Sequence, residues 1–141
     1  MDSRNRGGVT TKNLVGDVVI AREIFDRLRQ ATAADPAILA ELCREYVAEA
    51  RSTVAKLQKA LAQRDATEVR ERAHYLKGSS LMIGARTLAQ CCGRLEQMGR
   101  DSDLEAAEPA LDQVIQALKA VEDELTKELG SVALPAEGSA A

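Results

Sequence analysis

Apolar residues recur along most of this chain every three or four positions, the period of a helix with one buried face. Residues 17–31 place Ile20, Ile24, Phe25 and Leu28 on one side and predict a short N-terminal helix. A second helix opens with Asp35 as N-cap and Pro36 at the first helical position, where a missing N–H costs nothing. Leu39, Leu42, Tyr46, Val54, Leu57 and Leu61 carry it to about Gln63. Asp65 and Glu68 form a D-x-x-E capping signal for a third helix. Its seam is Ala66, Val69, Ala73, Leu76, Ser80 and Ile83, and Gly84 is its expected stop. A fourth helix, from about Ala85 to Arg100, uses Leu88, Cys92, Leu95 and Met98. A polar turn around Gly99-Arg100-Asp101-Ser102 precedes Asp103, which can cap the last helix. Leu111, Val114, Leu118, Val121 and Leu125 form the seam of that helix. Pro109 lies past its first turn, so it predicts a kink or the helix's true start.

No segment shows the period-2 alternation of a strand. Long helices with short connections and one apolar face each predict an all-α fold, an antiparallel four-helix bundle with an additional short N-terminal helix. Polar, Gly-containing residues 1–16 read as a flexible N-terminus, and 130–141 (GSVALPAEGSAA) as a disordered tail. Residues 17–129 are then the helical body.

Composition narrows the function. The 141 residues are enough for one domain. Aromatics are 2% of the chain, so the core is aliphatic and a base-stacking surface is not expected. A net charge of −3 argues further against binding nucleic acid. No apolar run reaches membrane-spanning length and no signal peptide opens the sequence, so a cytoplasmic protein without membrane contact is expected. One histidine, and cysteines at 43, 91 and 92 alone, cannot supply a familiar zinc site. The odd thiol count, with two adjacent, reads as reduced cysteines packed between helices.

The single histidine, His74, lies roughly 135° from the centre of the third helix's seam and so faces away from the core. Lys77 and Gly78 follow one turn later on the same side. Glycine inside a helix costs about 1 kcal/mol relative to alanine, a cost that suggests close approach of another group. An exposed imidazole is largely neutral near pH 7, and its free nitrogen is a nucleophile toward phosphorus. Lys77 can disfavour protonation of that ring and pair with phosphoryl oxygens. No phosphate-binding loop or Walker motif accompanies these residues, so the chain can accept a phosphoryl group but shows no means of binding ATP.

The stretch Ala73 to Ala85, AHYLKGSSLMIGA, resembles the signature of histidine-containing phosphotransfer domains, H-x-x-K-G-[SA]-[SA] followed by Gly-Ala. Leu88, Cys92 and Leu95-Glu96 continue the resemblance, which in detail covers about 70–100. It implies a four-helix bundle with His74 as phosphoacceptor, Lys77 beside it and Gly78 admitting the partner. The implied mechanism takes phosphate from a phospho-aspartate of one receiver domain and passes it to the aspartate of another response regulator. The resemblance also implies that Mg2+ sits in the receiver, so no cofactor is expected in this chain. It implies a carrier without kinase activity, with receiver domains and a hybrid sensor histidine kinase as partners. Tyr75 stands where plant-type members have Gln and can tune partner choice.

Helical projection puts Arg70, Glu71, Leu81 and Met82 on or beside the His74 side, a candidate partner-binding surface in which the last two are exposed apolar residues. For Leu81, packing against the N-terminal helix is the alternative. Residues 64–100 carry seven Arg or Lys and four acids, whereas 101–141 carry two Lys and ten acids. The basic segment either complements an acidic partner site or pairs with the acidic last helix within the bundle. Two other functions compete with the relay carrier: a helical adaptor that binds a receiver or kinase without carrying phosphate, and a structural bundle with an incidental histidine. A monomer is expected.

Overall fold

Capping side chains set the starts of three helices in the computed structural model, which describes residues 18–130. Asp35, Asp65 and Asp103 accept from the backbone N–H groups of Ala37, Glu68 and Ala106 at 3.1, 3.1 and 3.3 Å. Each bond satisfies a donor that the first helical turn leaves without a partner. Five helices result: α1 (Arg22–Ala31), α2 (Pro36–Ala62), α3 (Ala66–Ile83), α4 (Arg86–Arg100) and α5 (Leu104–Leu129). The described residues contain no strand. Of the segments expected to be loose, 1–16 and 130–141, all but Gly130, the C-cap of α5, lie outside the described region.

Helices α2 to α5 form an up-down-up-down bundle. Each packs on its sequence neighbours, and α2 closes the ring against α5. Gly84 stops α3 in the left-handed conformation (φ 88°), and the Ala85 N–H returns to the Ser80 carbonyl at 2.8 Å. The short α1, expected over 17–31, begins only at Arg22 because Ala21 is extended toward Gly84, and it lies across this end of the bundle. Its leading Ala21 N–H donates to the Gly84 carbonyl at 2.7 Å, and Phe25 is fully buried. Arg22 and Arg29 of α1 both pair with Glu128 at the end of α5.

The seams of α3 and α5 fall where the periodicity puts them. Helix α2 is turned slightly. Its buried face is Leu39, Cys43, Val47, Ala50, Thr53, Leu57, Ala60 and Leu61. Leu42, expected in the core, is 45% exposed, and Tyr46 and Val54 are only partly buried. Leu39, Leu57 and Leu61 lie on this face as expected, but between them Cys43, Val47 and Ala50, rather than Leu42, Tyr46 and Val54, fill it. The expected turn at Gly99 and Arg100 is also corrected: both belong to α4, and the turn is Asp101-Ser102. Gly99 is a place of close approach. A Cβ there would stand 2.7 Å from the Arg70 nitrogen and 3.0 Å from the Ala66 carbonyl oxygen of α3. Pro109 does not start α5, which runs through it. It and Glu105, whose carbonyl it leaves without an intrahelical donor, are exposed, so water can satisfy that oxygen.

Candidate functional site

His74 stands midway along α3, between the buried residues Ala73 and Leu76 but on the opposite side, with its side chain 68% exposed. Behind it is an acid that the sequence reading did not single out for a role. Glu96 of α4 is buried, and its Oε2 lies 2.9 Å from His74 Nδ1. Its Oε1 meets Lys77 Nζ at 2.8 Å, and Oε2 also accepts from Arg100 Nη2 at 3.1 Å. Burial pushes the Glu96 carboxyl up, but hydrogen bonds from Lys77 and His74, and their charges, outweigh it. The net result is a carboxyl held below the usual glutamate range.

An ionised carboxylate only accepts hydrogen bonds. The proton in the His74–Glu96 bond therefore belongs to Nδ1. In the neutral ring this leaves the lone pair on Nε2, across the ring from the buried acid. The arrangement fixes one tautomer and presents one nucleophilic nitrogen to solvent. Glu96 follows Leu88 and Cys92 at four-residue steps on the buried face of α4. A carboxylate in an apolar stripe was the available signal; its partner 22 positions away was not readable.

Gly78 shares the ridge with His74. A Cβ built there meets nothing within 4 Å, so the chain itself gives no packing reason for the glycine. It leaves open ground beside the imidazole. Lys77 is close to His74, as expected, but its ammonium is held on Glu96. Arg70 and Glu71 lie one turn earlier and pair loosely at 3.8 Å.

The two apolar residues projected onto this surface fall on different flanks. Leu81, 51% exposed, borders a shallow α3–α4 groove with Lys77, Ala89 and Gly93. It does not pack away under α1, whose Ile24 and Ala21 approach Gly84 instead. Met82, 77% exposed, borders a groove of about 370 Å³ between α2 and α3, with Leu42, Tyr46 and Tyr75. Leu42 and Tyr75 extend the apolar surface beyond the residues selected from sequence, and Ile38 of α2 is likewise exposed.

The charge pattern resolves in part. Acids of α5 pair with α1 and α2, as in Arg51–Glu122 at 2.9 Å. Cations of α3 and α4 pair with Glu68, Glu71, Glu96 and, through Arg86, with Glu23 of α1. The basic segment is therefore not simply the counterpart of the acidic last helix. All three cysteines are buried. Burial pushes the Cys43 thiol up to about 11 and Cys92 to about 12, which fits packing rather than reactivity. Among the described residues no group of three or more His, Cys, Asp or Glu side chains could hold a metal ion. No described helix is long and apolar enough to cross a membrane.

Comparison with known proteins gives the chain a family and a fold. The Hpt domain family matches residues 41–124, from early α2 into α5, a span that contains the whole site. The chain is 31% identical over 112 residues to multistep phosphorelay regulator 1 of Schizosaccharomyces pombe, covering 74% of this chain and 38% of that protein. It is 33% identical over 57 residues to the phosphorelay intermediate protein YPD1 of Saccharomyces cerevisiae, covering 40% of this chain and 34% of that one. The chain thus spans little more than a third of these curated relatives. Among solved structures, histidine-containing phosphotransfer protein B of Pseudomonas aeruginosa superposes with a TM-score of 0.73 at 24% identity, over 80% of this chain and 96% of its own. Saccharomyces cerevisiae Ypd1, co-crystallised with the receiver domain of Ssk1, gives 0.76 at 21% identity, over 82% and 97%. At these identities the two structures establish a shared fold. With the family match and the sequence relatives, they lead to one assignment: the chain belongs to the Hpt domain family.

Proposed function

We propose that the chain is a phosphorelay carrier. His74 Nε2 takes a phosphoryl group from the phospho-aspartate of one receiver domain and gives it to the aspartate of another response regulator. The observation that carries this reading is the imidazole itself: exposed, tied through Nδ1 to buried Glu96, and beside the open ground of Gly78. The names of the two yeast relatives, and a receiver domain co-crystallised with Ypd1, support it.

In this reading the receiver brings Mg2+ and most of the catalytic apparatus, and this chain needs no cofactor. It has no kinase activity of its own. A hybrid sensor histidine kinase supplies the first phosphoryl group through its receiver, and the carrier works as a monomer in the cytoplasm. Lys77 turns from Glu96 to the incoming phosphoryl oxygens. Gly78 lets the receiver's acidic pocket close over His74, and the apolar flank with Leu42, Tyr75 and Met82 receives its neighbouring surface. Leu81, Arg70 and Glu71 border the contact.

Incubation with receivers charged by a small phosphodonor tests the reading. Acid-labile, base-stable phosphate on the protein is expected, and it is abolished by His74→Gln with helicity unchanged. ATP alone should give no incorporation. If the cognate receivers bind but leave His74 unmodified, the chain is an adaptor and the carrier reading fails.

A further inference from the structure

The acid behind His74 has a consequence for the loaded protein. A ring with phosphate on Nε2 and a proton on Nδ1 is a cation, and its Nδ1–H would face a carboxylate whose side chain is only 8% exposed. A buried charge at hydrogen-bond distance is little screened by solvent and salt. Helix α4 contributes Glu96 and Arg100 to this cluster, and α3 contributes Lys77, with Arg70 and Glu71 paired one turn earlier. Glu45 and Glu49 of α2 line the groove beside Tyr75. On α1, Arg22 and Arg29 are engaged with Glu128, and Glu23 with Arg86. When Lys77 turns to the phosphoryl oxygens, Glu96 loses one of its two cations, and its pull on the Nδ1 proton grows.

We propose that Glu96 is a positioning residue for phosphoryl release: it keeps the proton on Nδ1 after Nε2 is phosphorylated, so that the adduct stands as a phosphoimidazolium at neutral pH. This rests on the carrier reading for its role, though not for its test. On loading, the Nε2 lone pair forms the N–P bond while the P–O bond breaks, and that electron pair stays on the donor aspartate. On release, an aspartate oxygen of the acceptor attacks phosphorus. The N–P bond breaks, its electron pair returns to Nε2, and a neutral imidazole leaves with Nδ1–H already in place. No proton has to arrive during either step. Without that proton the leaving group would be an imidazolate anion, so Glu96 acts as the holder of the acid for the reaction.

Phosphoramidate, which phosphorylates exposed imidazoles directly, makes the adduct without any receiver. The sequence has one histidine, so the adduct has one address. Phosphorus and nitrogen NMR across pH would follow the Nδ1 proton in the folded chain, in the same labelled chain unfolded by urea, and in Glu96→Gln. The folded wild type is expected to lose that proton about one pH unit or more above the unfolded chain. Glu96→Gln should return the titration toward the unfolded value. Above the titration, phosphate release should slow about tenfold in the variant, the rate equivalent of one pH unit. Equal titrations in folded and unfolded wild type, or a folded Glu96→Gln that titrates like wild type, would overturn the proposal. Failure of labelling would overturn it too, by removing the open Nε2 on which it stands. If Glu96→Gln does not fold, the folded-against-unfolded comparison decides alone. A failure with real receivers would strike the carrier reading and leave these titrations unchanged.

Discussion

Two residues on the ridge of α3 and behind it make opposite demands on the fold. Gly78 has no neighbour for a side chain to touch, so its cost to the helix is not recovered by packing within this chain. Gly78→Leu should leave stability unchanged or raise it by up to about 1 kcal/mol, while slowing transfer from a charged receiver by steric block. Stability is read from a urea midpoint and transfer from rapid-quench kinetics. Unchanged transfer would remove Gly78 from the contact surface. Glu96 carries a pH signature. Its carboxyl is held low because the bonds from Lys77 and His74 outweigh the effect of burial. A depressed carboxyl stabilises the fold above its unfolded-state value, and that contribution is lost as pH falls through the folded value. The cluster should therefore survive below the ordinary glutamate value of about 4.3 and open only in stronger acid. Carboxyl carbon shifts of Glu96 report this directly, and titration at or above the ordinary value would contradict it.

At the scale of elements, the contrast between glycines is sharper. Gly99 has the α3 backbone against it: a Cβ added at this position would lie 2.7 Å from the Arg70 nitrogen. Backbone cannot rotate away as a side chain can. Gly99→Ala should cost about 1–3 kcal/mol despite alanine's better helix propensity, visible as a lower urea midpoint; a gain in stability would refute the close approach. Pro109→Ala should act in the other direction. It restores the N–H that Glu105 lacks within a continuous helix, so a gain of about 1–3 kcal/mol is expected. No gain would mean that the proline costs the helix nothing where it stands. The elements themselves were readable because their signals are local. Asp35-Pro36, Asp65, Gly84 and Asp103 mark ends by chemistry within one turn. Leu42 misled because side-chain size is a poor guide where Cys43, Val47 and Ala50 form the actual contact face.

Over the whole molecule, α1 is joined to the bundle end by Phe25, by the Ala21–Gly84 hydrogen bond and by two arginines on Glu128. The Arg22 hydrogen bond is the main reason the Glu128 carboxyl is held low. Both arginines are well exposed, so solvent weakens these pairs. Glu128→Gln should change global stability by less than about 1 kcal/mol, yet hydrogen exchange in α1 should quicken while α2 to α5 stay protected. The same local loosening is expected in acid, since a lowered carboxyl loses its contribution as pH falls through the folded value. Uniformly faster exchange across the bundle would show that α1 is part of one cooperative unit.

Sequence by itself determined that there are five helices, the caps of α2, α3 and α5, the core faces of α3 and α5, and the outward direction of His74. Those properties follow from the 3.6-residue period and from bonds within one turn, so each is present in a short stretch of chain. Tertiary structure decided what stands behind the histidine. Glu96 reaches Nδ1 because α3 and α4 run antiparallel and close, with Gly99 against Ala66 and Arg70. It also decided that Leu81 and Met82 face different grooves, and that Leu42 joins the surface. Such facts depend on the rotation and separation of whole helices. Local periodicity gives each helix a buried face and leaves open which residues of the next helix that face will meet.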